Sequence, residues 1–129
     1  MNKLDKQSVT GVSALLVHAA KIDEIYSDEE RNLIKEFIKS YLKDENIDTI
    51  LKNAEEIEGN ANQLLNFTNI IKKNSIEVKK DILEHLWKIV ISDKKVDQYE
   101  SNLMRRICGL IYVPDKINAE IKLKLMNSL

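Results

Sequence analysis

The chain has 129 residues, 43% hydrophobic and 32% charged, with only three Gly and one Pro and a formal net charge of −1. That length suits one domain burying about two-thirds of its unfolded surface, and the scarcity of turn-forming residues disfavours a sheet, so an all-α domain over 1–129 is expected. A lone Cys108 excludes an internal disulfide, no run nears the roughly 18 apolar residues of a membrane span, and residues 1–22 lack a signal-peptide core; the expectation is a soluble, cytoplasmic protein that is not itself a membrane protein.

Seven helices are predicted. The first, about Lys6 to Ile22, puts Val9, Val12, Leu16, Ala19 and Ala20 on one stripe. The second opens behind Ser27, whose hydroxyl caps free amides while Glu30 reaches back three residues later, a capping box. Its core face is Leu33, Ile34, Phe37, Ile38 and Tyr41. The third, about Ile47 to Glu58, and the fourth, about Ala61 to Lys73, are divided by Gly59-Asn60, read as a helix-ending turn. The run Glu55-Glu56-Ile57-Glu58 reads as one solvated face.

The fifth helix, capped by Ser75, carries Ile82, Leu83, Leu86, Trp87, Ile89 and Val90, with Trp87 in the core. The sixth begins behind Asp97, and Glu100 repeats the reach-back in carboxylate form. In it Cys108 lies among Leu103, Ile107, Leu110 and Ile111, the setting of a buried, unreactive thiol. Pro114 breaks the chain after Tyr112-Val113, and a last helix uses Ile117, Ile121 and Leu125.

One phrase occurs twice. Asp23-Glu24-Ile25-Tyr26-Ser27-Asp28-Glu29-Glu30 and Asp93-Lys94-Lys95-Val96-Asp97-Gln98-Tyr99-Glu100 share the form Asp, two variable residues, an apolar residue, three variable residues, Glu, at an offset of 70. Leu16 and Leu86, Ala20 and Val90, Asn32 and Asn102, and Leu33 and Leu103 match at the same offset. Helix-like stretches flank both copies, so the repeat predicts two helix-turn-helix units, about 6–42 and 76–111, packed with approximate two-fold symmetry to bury their apolar stripes.

Charge is divided unevenly between the halves. Residues 1–64 carry 8 Lys/Arg against 13 Asp/Glu, and residues 65–129 carry 12 against 8. This describes either ordinary solvated helix surface or a molecule with an acidic and a basic face for head-to-tail or charged-partner docking. Lys72-Lys73, Lys79-Lys80 and Arg105-Arg106 lack aromatic interleaving, and the chain has no basic excess, so nucleic-acid binding is not expected.

The acidic turns do not make an EF-hand. With Glu30 as closing ligand, the first and third ligands fall on Ala19 and Lys21 and the Gly position on Glu24. In the second copy they fall on Ile89, Ile91 and Lys94. Half of each cage is missing.

The doubled pattern of helix, Asp, apolar residue and acidic helix start resembles the TerB-like family, named for a bacterial tellurite-resistance protein. The family phrase, Ala-Asp-Gly followed by an apolar residue and a Glu, survives as Asp23, Tyr26 and Glu30 and as Asp93, Val96 and Glu100. Ile22 and Ser92 replace the usual Ala, and Glu24 and Lys94 the usual Gly; the flanking pattern holds over about 9–42 and 79–111, leaving out the middle of the chain. The resemblance implies a bacterial, cytoplasmic, stress-associated protein that binds metal ions through these acidic residues or serves as a scaffold for protein partners in membrane-linked complexes.

On the metal reading the ligands are Asp23, Glu30, Asp93 and Glu100, and hard oxygen donors favour calcium, magnesium or manganese. On the other reading Ser27 with Glu30 and Asp97 with Glu100 are caps, and Asp23 and Asp93 are turn formers. His18 and His85, on equivalent first helices, raise a third candidate, a His/carboxylate zinc site; ordinary, partly exposed histidines are the plainer reading. Gly11, Gly59 and Gly109 begin no phosphate-binding loop, and no nucleophile-His-Asp or His-Glu-x-x-His arrangement is present, so no enzyme activity is expected.

Overall fold

Helix α1 (Lys6–Ala20) runs through the middle of the protein, with α2 (Asp28–Tyr41), α3 (Ile47–Asn60), α4 (Leu65–Lys72) and α5 (Ile76–Val90) all packed on it. Completing the order are α6 (Gln98–Ile111), against α4, α5 and α7, and α7 (Asp115–Met126), chiefly against α5. This computed structural model describes residues 4–22, 26–43, 46–60, 65–92 and 98–127, with the backbone alone at 65–66 and 98–100. Among the described residues there are seven α-helices and no strand.

The surroundings of α1 explain its composition. Between Gly11 and Ala20 only His18 escapes full burial, because a helix enclosed by four others must be apolar on nearly every side. The predicted stripe of Val9, Val12, Leu16, Ala19 and Ala20 is buried, and Ala14, Leu15 and Val17 join it. Each such side chain contributes about 1.5–3 kcal/mol when it is as large as Val or Leu. Gly11 lets α4 approach closely, since a Cβ there would run into Ile70 Cδ1.

The predicted repeat reappears as matched elements. At an offset of 70, α1 has the bounds of α5 and α2 those of α6. Leu16 and Leu86, Ile34 and Met104, Phe37 and Ile107, and Ile38 and Cys108 are buried in pairs. The helix after each matched pair packs on the first of that pair, α3 on α1 and α7 on α5, whereas α4 has no counterpart among the described helices and packs on both α1 and α6.

Helix ends follow local chemistry. The Asp5 carboxylate accepts from Ser8 N at 2.7 Å and caps α1, and Ser75 caps α5 through Val78 N. At the end of α6, Val113 N donates to Cys108 O at 2.9 Å while Tyr112 takes a left-handed backbone with φ 61°. That is a Schellman closure with tyrosine where glycine is favoured.

Two boundaries differ from the sequence reading. Helix α1 stops at Ala20, not Ile22, with Lys21 as its cap. Helix α3 continues through Gly59 to Asn60, because Gly59 does not adopt the positive φ that would end it. Residues 61–64, placed in α4 from sequence, lie outside the described residues.

Candidate functional site

The first interhelical turn is anchored by the start of α2. The Glu30 carboxylate Oε1 accepts from Ser27 N at 2.8 Å and from Ser27 Oγ at 3.0 Å, and Ser27 Oγ accepts from Glu30 N at 3.1 Å. The capping box read from the sequence is thus closed. Glu30 is buried, an unusual place for a carboxylate, and donors at the positive end of α2 compensate.

The acidic end of α3 folds against this turn. Glu55 Oε2 accepts from Tyr26 OH at 2.6 Å and from Arg31 Nε at 3.4 Å. Arg31 also donates to Asp28 Oδ1 at 3.0 Å and lies 4.4 Å from the centre of the Tyr26 ring. Burial and the Glu55 carboxylate both raise the Tyr26 pKa, keeping the phenol protonated as a donor. Glu58 Oε1 accepts from Lys21 Nζ at 2.8 Å, and its Oε2 lies 3.3 Å from His18 Nδ1. Burial opposes ionisation of Glu58, but hydrogen bonds from Lys21 and His18 outweigh it and hold the pKa below the ordinary 4.5. Glu55 and Glu58 are therefore not the solvated face expected from sequence; they join α3 to α1 and α2, a pairing between distant segments that helical periodicity does not reveal.

The other candidates part company. His18 faces Glu58, while His85 sits on α5 with Nε2 3.7 Å from Asp81 Oδ1 and its ring edge-on to Phe37 at 5.1 Å. Asp81 also accepts from Tyr41 OH at 2.7 Å, forming a Tyr–Asp–His cluster between α2 and α5 that the sequence did not disclose. Burial lowers the His85 pKa against the opposing pull of Asp81, Glu36 and Glu84, with Lys88 adding to the lowering. Cys108 is buried, and burial, helped by Asp115, pushes its thiol up to about 12, which rules out a ready nucleophile. Trp87 is core, as expected.

Of the four carboxylates predicted as ligands, only Glu30 has a described side chain; Asp23 and Asp93 lie outside the described residues, as does the Glu100 side chain. The Asp97 cap lies outside them too. Among the described residues no group of three or more His, Cys, Asp or Glu side chains could hold a metal ion. No helix among the described residues is long and apolar enough to cross a membrane.

A groove of about 950 Å³ opens between α1, α3 and α4, with Gly11, Ile57, Phe67 and Ile70 in its lining. Ile57 is among the large apolar side chains left exposed.

No curated protein and no solved structure matches the chain. The family model described as Tellurite resistance protein TerB matches residues 10–123, from the second turn of α1 into α7. The match spans most of the chain and reaches all seven helices found among the described residues, and the chain belongs to the TerB family.

Proposed function

We propose that this chain is a non-catalytic TerB module that holds a protein partner, the carboxylates around its first interhelical turn serving the fold. Glu30 carries this reading: its Oε1 receives both the amide and the hydroxyl of Ser27. Glu55 and Glu58 are likewise matched to Arg31, Tyr26, Lys21 and His18. A cation drawing on these oxygens would have to displace charge-assisted hydrogen bonds, each worth about 1.5–3 kcal/mol. The apolar groove beside Ile57 and Phe67 supplies surface for a partner. The tellurite resistance in the family's name supports a stress-associated role, and we extend this to a bacterial cytoplasmic module whose partner belongs to a membrane-associated complex.

A second reading rests on the repeat. Because α1 and α2 coincide in bounds with α5 and α6 at an offset of 70, Asp23 and Asp93 hold equivalent sequence positions, as do Glu30 and Glu100 in the first turns of α2 and α6. Such doubled oxygen donors would suit calcium, magnesium or manganese. Amide-resolved NMR of chelator-treated protein, titrated with these ions and zinc, separates the readings. Unmoved amides at Ser27–Glu30 and Gln98–Glu100 at millimolar ion support the first, as does a double Asp23→Asn/Asp93→Asn variant that loses stability without changing any ion response. Saturable shifts confined to those turns support the second.

A further inference from the structure

The exposed face of α6 breaks two local rules within four residues. Gly109 sits in the last turn of α6, exposed, with nothing within 4 Å of where its Cβ would be. It has no positive φ, so neither packing nor backbone requires glycine there, and alanine would favour the helix. Three residues later Tyr112 takes φ 61° where glycine is preferred, a strained backbone for a residue with a Cβ. Its side chain is 68% exposed and therefore recovers little by burial. Glycine stands where a side chain would help, and an aromatic where glycine would.

Cations border this face. Arg105 and Arg106 are exposed on α6, Arg105 on the side of a cleft it shares with Asp115 and Lys122 of α7, and Lys72 at the end of α4 places its Nζ 4.8 Å from the centre of the Tyr112 ring, with Lys73 next to it. Among the described residues no carboxylate pairs with any of these four cations. Elsewhere Lys21, Arg31, Lys35 and Lys124 each have a carboxylate partner.

We infer that this face, made of Lys72, Arg105, Arg106, Gly109 and Tyr112, docks an acidic segment of a partner protein. The bare Gly109 surface lets the partner come close to the α6 backbone, Tyr112 supplies a rigid aromatic contact, and cations with no carboxylate partner among the described residues complement the partner's carboxylates. A long polyanion fits less well, because a chain of net charge −1 offers a local basic strip and no basic surface at large. The inference rests on the protein-interaction reading above and names its partner's chemistry.

The test is NMR titration of the full chain with a synthetic helical peptide of Glu, Ala and Leu, with its Lys counterpart and a single-stranded oligothymidylate as controls. Saturable shifts are expected at Lys72, Arg105, Arg106, Gly109 and Tyr112 with the acidic peptide alone, weakening as salt screens the charges. Arg105→Glu with Arg106→Glu should raise the Kd about tenfold or more, and Gly109→Leu should do the same by filling the bare surface. Tyr112→Gly should weaken binding while raising the denaturation midpoint, which separates loss of contact from loss of fold. Tighter binding of the oligothymidylate, or no shift on this face with the acidic peptide, overturns the inference. Acidic-peptide shifts confined to the α1, α3 and α4 groove overturn this surface but leave the protein-interaction reading standing.

Discussion

The indole N–H of Trp87 donates to Asn118 Oδ1 at 2.8 Å and ties the buried centre of α5 to α7. Helix α7 has Ile121 as its one buried side chain, so its polar contacts to α5, this one and Lys124 Nζ to Glu84 Oε1 at 3.1 Å, matter to its docking. Asn118→Ala should cost about 1–3 kcal/mol by stranding the buried indole donor. Urea unfolding followed by Trp87 fluorescence measures it; an unchanged midpoint would show that the indole finds another acceptor.

Ser13 is fully buried in α1 with no hydrogen-bond partner for its hydroxyl among the described residues. Ser13→Ala should raise stability by about 1 kcal/mol, since it removes an unsatisfied polar group and improves helix propensity. A higher denaturant midpoint with unchanged slope is the expected result.

The capping box gives a coupled pair. Ser27→Ala should cost about 0.5–2 kcal/mol, and Glu30→Gln less, because the amide oxygen still accepts from Ser27. In the double variant the losses should fall short of their sum by about 0.5 kcal/mol or more. Simple additivity in the double-mutant cycle would contradict the reciprocal geometry.

Acidification should weaken the fold in two stages. Burial depresses the His85 pKa below its ordinary 6.5. The unfolded chain therefore takes up a proton first, and stability falls as pH drops from 6.5 toward the lower folded value. The pKa of Glu58 is lowered by its cation partners from 4.5; its contribution is present above 4.5 and lost as pH falls below. His85→Gln should flatten the upper stage and spare the lower, as read from denaturation midpoints across pH.

Sequence logic reached the helices, the Ser27–Glu30 box and the core roles of Trp87 and Cys108 because each is written in local periodicity or three-residue spacing. It missed the pairing of Glu55 and Glu58 with α1 and α2, and of Asp81 with Tyr41, because those partners are 24–40 residues apart and nothing local distinguishes a paired carboxylate from a solvated one; Asp81 and His85, four apart on α5, had a local spacing that sequence could have offered. The full enclosure of α1 was also hidden: Leu15 and Val17 lie off the predicted stripe and are buried only because four helices surround them. Tyr112 in a left-handed turn ran against residue preference, which would place glycine there.

The sole thiol offers a clock. With Cys108 sealed in the core and its proton held up to about 12, an alkylating reagent can reach it only when α6 opens. Labelling of the wild-type chain, without any introduced probe, therefore counts opening events of α6 directly. Any ligand that clamps α6 shut should lengthen the labelling half-life, and one that binds a distant part of the surface without coupling to α6 should leave it alone.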